Sequence, residues 1–557
     1  MGLKKRIYFS CLTVLVMVLV ACGTNDDGEK AGTDSSDQEV TVEQTFKVVE
    51  QQELPSADPS LATDVIAARV LTATYEGLYR LDQDSQPIAA GAMEVVEPSE
   101  DGLTYRFDLR KEATWSNGDP VTADDYVFSW QRTVDPETAS EYASIFSPLK
   151  NAEAITAGEK DKKELGVTAV SEYELEIVLE KPVPYFNFLL AFKQYFPQNR
   201  KIVEKFGKEF ATSSEKAVYN GPFVLADFDG PGTDMDWAYV KNEHYWDQQN
   251  VKLDRIDVTV VKESSTALNL YQSGELEDVI LTGELAQQMA NDPELVIEKL
   301  ASSFYLEMNQ REENSVFRNA NLRKALSYSI DRLAMSRDIL GDGSVPARGL
   351  IPSDMSVNPT SGKDFADENG DFLTLDAKKA QAYWEVAKKE LGIDRLELDI
   401  LSSDNDSSKK VVEYLQGAIE ENLEGVKVTV SPVPFTVRLD RSNKGEFDLV
   451  LGGWSADYAD PITFIELFRT EDSYNRGKFS NENYDKEALE SATVNVLKPE
   501  ARWDNLLAAE KVLMEEMGVI PLYQKAEAHL RTAKIKEIAI HPAGAHYDYR
   551  WAYKVAE

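Results

Sequence analysis

Apolar positions recur along this chain with two different periods, and the periods mark out its elements. In "NLRKALSYSIDR", Leu322, Ala325, Leu326, Ser329 and Ile330 keep helical spacing. A second helix, "AKKAQAYWEVAKKEL", is expected to be capped by Asp376 and stopped at Gly392. "RLELDIL" then alternates Leu396, Leu398 and Ile400, which predicts a strand. A helical run, "SSKKVVEYLQGAI", and a strand through Val426, Val428 and Val430 follow. After a loop, Phe447 to Leu451 reads as an apolar strand that turns on Gly452 and Gly453. Strand, helix, strand, loop, strand is the order of a mostly parallel sheet with helices on its faces. Such sheets bind ligands beyond the carboxyl ends of their strands. Gly453, Trp454 and Asp457 sit at such an end, which makes them a candidate site. The N-terminal half reads differently, with hairpin-like strands such as "TYRFDLR" and "RIDVTVV", the latter carrying Ile256, Val258 and Val260 on one face.

The first residues break this pattern. Lys4, Lys5 and Arg6 precede an apolar run of 15 residues, Ile7 to Ala21. That run is shorter than the roughly 20 residues of a membrane span and suits a secretory signal. It ends in Leu19-Val20-Ala21-Cys22, which resembles the bacterial lipobox. The resemblance implies lipidation of Cys22 and cleavage before it; an ordinary cleaved signal or an uncleaved anchor is the alternative. Residues 22–45, rich in Gly, Ser, Thr and acids, read as a disordered acidic spacer. The two cysteines are Cys11 and Cys22, so the expected mature body has no disulfide and no thiolate chemistry.

Charge narrows the partners. The chain has 97 acids against 59 bases, a formal charge of −38. Loss of residues 1–21 removes three positive charges and leaves −41. A polyanion is a poor ligand for nucleic acid, whose affinity comes from neutralised phosphates. Cationic or zwitterionic ligands suit it better. About 510 residues remain after the spacer, enough for two or three domains.

Six blocks then occur in a telling order. They are "DGLTYRFDLRKEATWSNGDPVTADDYVFSWQRTVDPETAS" (101–140), "KPVPYF" (181–186), "NGPFVL" (220–225), "NEHYWD" (242–247), "FRNANLRKALSYSIDR" (317–332) and "GWSADYADP" (453–461). Together they resemble the peptide-type extracellular solute-binding proteins of ABC importers, family 5, over roughly residues 46–555. The resemblance implies a two-lobed α/β clamshell of the periplasmic-binding-protein kind (type II, cluster C) with mixed sheets. Lobe I would comprise 46–300 and 522–557, with an extra subdomain at about 77–197, and lobe II 301–521. The hinge would be two crossing segments near residues 300 and 521.

The family also implies a site. Its aspartate in the GWxADY block, here Asp457, pairs with the α-amino group of a bound peptide. A carboxylate in a dry cleft gives an ammonium a charge-assisted bond, whereas Asp457 as a plain turn residue would only satisfy nearby amides. Asp460 reads as structural, a helix cap followed by Pro461. Strand edges at Thr63, Val65 and Gly453 to Ser455 would hold the peptide backbone, with Gly453 allowing close approach. The resemblance implies that Trp454, Phe435, Tyr142 and Tyr305 wall side-chain pockets, although for each aromatic alone core packing is the stronger reading.

The pattern also departs from the family. The arginine two residues before the GW pair is Leu451 here, a histidine near the ligand's carboxyl end is Ser408, and a cysteine of the block is Ser455. The expectation is therefore a peptide longer than about five residues, or one with an apolar carboxyl half, held there by non-ionic contacts. Nutritional peptides and hydrophobic pheromones both fit. The resemblance further implies a lipid-anchored monomer on the outer face of the cell membrane, delivering cargo to ABC permease subunits, with no cofactor and no metal. An enzyme is the competing class. Yet His244, His529, His541 and His546 form no HExxH motif, and no G-x-S-x-G elbow or phosphate loop occurs. Nickel chelates, haem or sugars are alternative cargoes on the same fold.

Overall fold

The computed structural model describes residues 42–556. The signal, the Cys22 lipidation position and the spacer as far as residue 41 lie outside the described residues. The first described element is a strand at Thr45–Glu50, whose buried Phe46 and Val48 anchor it.

One mixed sheet organises the molecule. Its main path runs Val426–Val433, Leu396–Ser403, Leu449–Ser455, Leu295–Met308, Ile520–Arg531, Asp278–Leu281, Thr45–Glu50, Arg255–Val260, Asp236–Lys241, Phe223–Ala226. The first three strands are parallel, as the strand–helix–strand pattern predicts. The fourth and fifth are antiparallel to their neighbours, which makes the sheet mixed rather than mostly parallel. Those two strands are also the longest, 14 and 12 residues. Leu295–Lys299 pairs with the far half of its partner and Ser303–Leu306 with the near half, with register shifts between Lys299 and Ser303 and between Phe304 and Tyr305. A bulge of this kind bends the strand locally.

Different cores form on the two ends of this strand pair. Leu306, Leu326, Trp384, Ile400, Val411 and Leu449 belong to one. Val49, Leu268, Val279, Ile280 and Leu530 belong to another. A third and larger cluster runs from Trp115, Trp130 and Tyr195 to Trp454, Tyr458 and Phe464. The segment Thr104–Asp108, Val167–Ser171 and Glu174–Val178 forms a separate three-stranded sheet.

Local chemistry explains the elements nearest the site. Asp376 accepts from the Lys379 amide and Gly392, at φ 69°, closes the helix Ala377–Leu391. Asn405 accepts from the Ser408 amide and starts the helix Asp406–Asn422 directly after the strand Leu396–Ser403. The helix starting at Ala320 ends at Tyr328, with Ser329 as its cap. One expected turn is absent. The strand expected at Phe447–Leu451 instead spans Leu449–Ser455 and continues through both glycines. Tyr305 pairs with Gly452, Phe304 with Gly453, and Ser302 with Ser455. Cross-strand pairing overrides the local preference of Gly-Gly for a turn.

Candidate functional site

The carboxyl ends of Leu396–Ser403 and Leu449–Ser455 open into a cavity of about 150 Å3. Beside it lie a second cavity of about 270 Å3 and a third of about 50 Å3. Asp457 lines all three. It stands just past the strand end, where its amide donates to Thr463 Oγ1 at 3.3 Å. The Trp454 indole N–H donates to the same hydroxyl at 3.3 Å, so one threonine fixes both residues. Thr463 is itself held by the short helix Ile462–Ile465. Asp460 accepts from the Ile462 amide at 3.0 Å and receives both arms of Arg502 at 2.8 Å. The Asp-Pro step is thus a support for the site rather than part of it.

The Tyr142 hydroxyl donates to the Asp457 carboxylate at 3.2 Å. Burial pushes its pKa up to about 6, against the opposing pull of Lys193 and the Tyr142 and Thr463 hydroxyls. Lys193 lies within the apolar run "FNFLLAFKQYF", 4.1 Å above the Phe192 ring and 4.4 Å above that of Tyr142. Burial lowers its pKa to about 8, while Asp457 and Asp64 hold it up. Asp64 spends one carboxylate oxygen on the Ala67 amide at 2.9 Å and leaves the other buried without a partner. Burial raises that group to about 6 as well.

Aromatic rings close the space. Tyr142 stacks on Trp454 at 6.0 Å and 20°, and Tyr474 meets both edge-on at 5.2 and 4.7 Å. Tyr185 stacks on Tyr458 at 4.5 Å. These contacts join the segment carrying the small sheet to the strand end at Trp454.

The structure brings together most residues singled out from sequence. Thr63, Val65, Tyr142, Phe435, Gly453, Trp454, Ser455 and Asp457 all face the first cavity, as do Leu451 and Ser408. Their placement departs from expectation at Val65 and Tyr305, and Gly453 and Ser455 also make contacts within the protein. "LATDV" is not a strand: Asp64 caps the helix Val65–Thr74, so Val65 is its first residue. Gly453 makes room for protein, since a Cβ there would lie 2.9 Å from the Phe304 ring. The Ser455 hydroxyl is bonded to Ser302 at 2.6 Å. Tyr305 points away from the cavity, buried edge-on against Phe468 at 5.6 Å. Neighbours on a strand face opposite sides, so Phe304 takes the cavity wall and Tyr305 the core.

Several charged residues at the cavity were missed from sequence, namely Lys193, Asp64, Arg438 and Arg476. The lone lysine in an aromatic run was a usable signal; the arginines had none. Arg69, which lines the same cavity, bridges Glu50 at 2.8 Å and Glu527 at 3.4 Å. His529 lies 2.7 Å from Asp278, and Arg531 reaches Asp278 and Glu298 at 2.5 and 2.7 Å. Burial would lower the His529 pKa, but Asp278, Glu527 and Glu298 hold it up at about 9. No group of three or more His, Cys, Asp or Glu side chains suited to a metal occurs among the described residues, and no described helix is long and apolar enough to cross a membrane.

This geometry coincides with relatives of known kind. The model of the bacterial extracellular solute-binding proteins, family 5, matches residues 59–476. A dipeptide-binding protein of Lactococcus lactis is 35% identical, over 96% of this chain and 96% of that protein. OppA of Listeria monocytogenes bound to peptide has 39% identity and a TM-score of 0.89, over 92% of this chain and 100% of that one. The pheromone receptor PrgZ gives 41% identity and a TM-score of 0.89, again over 92% and 100%. These folds share a two-lobed mixed α/β architecture, and the family's members are binding proteins of transport, not enzymes. The chain belongs to the bacterial extracellular solute-binding proteins of family 5.

Proposed function

We propose that this chain is a membrane-anchored receptor that binds oligopeptides outside the cell and delivers them to the permease of an ABC importer. The observation that carries this reading is Asp457, a carboxylate at the meeting point of three cavities that is faced by the neutral Tyr142 and Thr463 hydroxyls. Lys193 pulls on this carboxylate without reaching ion-pair distance, and a peptide's α-ammonium would supply that direct partner. The backbone would be held along Leu451–Ser455. The neighbouring strand pairs with this one only at Leu449 and Val450, so the following residues keep one edge unpaired by strand. An extended peptide adds naturally to such an edge. Trp454, Tyr142 and Phe435 would wall the side-chain pockets.

The cavities are small for an oligopeptide, so admission requires the lobes to part. The register shifts around Lys299 to Tyr305 support a hinge there, with lobe I at 46–300 and 522–557 and lobe II at 301–521. The core around Val279 and Leu530 lies within lobe I so drawn, while the largest cluster joins residues of both lobes. Cys22 would carry the lipid that keeps the receptor at the membrane, as a monomer. The likeness to PrgZ favours a second reading, capture of a signalling peptide by the same site.

The test is titration of one peptide with and without N-acetylation. Loss of binding on acetylation is expected; equal binding of both forms would remove the role given to Asp457.

A further inference from the structure

The first cavity holds charge at another place that the α-amino anchor leaves unexplained. Arg438, on the helix Phe435–Lys444, lies along its wall with the guanidinium 5.0 Å above the Phe435 ring. None of its side-chain donors has a hydrogen-bond partner among the described residues, and its Nε is fully enclosed. Arg476 lines the same cavity. Its Nε donates to Asn443 Oδ1 at 2.7 Å, and Asn443 in turn donates to Glu141 at 2.6 Å. Neither guanidinium has a carboxylate within ion-pair distance among the described residues. The nearest acids are otherwise occupied or set back. Glu307 accepts from the Gly477 amide at 2.5 Å, and Asp64 caps its own helix. Burial and the neighbouring Arg476 together lower the pKa of Arg438 to about 10, so the two cations repel across the cavity.

Two confined guanidiniums with no carboxylate at ion-pair distance are costly, and a carboxylate between them accepts paired hydrogen bonds from a planar fork. Leu451 and Ser408, where the family's ionic anchors would stand, face this same cavity and are neutral. Resting on the peptide-binding reading, we infer that Arg438, flanked by Arg476, receives the α-carboxylate of the bound peptide. The ligands are then short peptides with both ends free, held between Asp457 and Arg438. On this inference the ligand differs from the sequence-based expectation of long or apolar-ended peptides held by non-ionic contacts. Position-by-position comparison missed it because the guanidiniums come from a different helix and loop.

The experiment loads the full chain, purified in detergent and stripped of cargo by unfolding and refolding, with an equimolar mixture of random tri-, tetra- and pentapeptides. Half are free acids and half carboxyl-terminal amides, and the captured fraction is read by mass spectrometry. Wild type should enrich acids over amides at least about tenfold. Arg438→Gln should bring that ratio to about one while amides are captured as before, and Arg438→Lys should fall between. Equal capture of acids and amides by wild type would overturn the inference while leaving peptide binding intact. Equal loss of both by Arg438→Gln would overturn it too, as a structural effect. Capture of neither would contradict the peptide reading itself. If Arg438→Gln fails to fold, the wild-type ratio alone decides.

Discussion

Replacing Asp457 by asparagine keeps the shape of the side chain and removes its charge. In the free protein that charge is uncomfortable: burial lifts the group from 3.8 to about 6. The lift corresponds to at most about 3 kcal/mol, since Asp457 keeps part of its surface in the cleft. The substitution should therefore stabilise the empty, closed form slightly. Binding moves the other way. Truncating one partner of a buried charged hydrogen bond costs about 2 to 5 kcal/mol. A peptide with a free amino end should then bind roughly 30- to 4000-fold more weakly to Asp457→Asn. The assay is a double-mutant cycle by calorimetry, crossing Asp457→Asn with N-acetylation of one peptide. Wild type should lose affinity on acetylation, whereas the variant should lose little. The coupling should be at least about 2 kcal/mol, and a value near zero would refute the pairing of Asp457 with the ammonium.

Other consequences are equally direct. Affinity for free-amine peptides should fall about tenfold per pH unit below roughly pH 6, because a raised Asp457 must first lose its proton to accept the ammonium; affinity that is flat down to pH 4.5 contradicts this. His529 has its pKa raised from 6.5 to about 9, so its stabilisation is complete below about pH 6.5 and is lost as pH rises through 9. Urea unfolding should show a decline on the order of 3 kcal/mol across that window, flattened in His529→Gln. Gly453→Ala places a methyl carbon 2.9 Å from the Phe304 ring and should cost about 1 to 3 kcal/mol, partly recovered in the double variant with Phe304→Leu; full stability of the single variant would show that the ring moves aside freely.

What could be read from the sequence was whatever local chemistry dictates. The helix Ala377–Leu391 was legible at both ends because Asp376 and Gly392 punctuate it. Arg255–Val260 was legible because burial alternates with every residue. The extension of a strand through Gly452 and Gly453 was not, because it depends on pairing with residues about 150 positions away. The same distance hid the parity that sends Phe304 into the cavity and Tyr305 into the core. Asp457 and Trp454 were found through a motif, but the buried lysine and paired arginines around them are set by tertiary closure. A lone Arg438 on an amphipathic helix looks the same as any solvated base.

The most direct measurement is mass spectrometry of the small molecules released when the full chain, purified in detergent from its own cell, is denatured. A set of peptides with free amino ends is the result this account predicts. A metal chelate, haem or sugar in their place would contradict it.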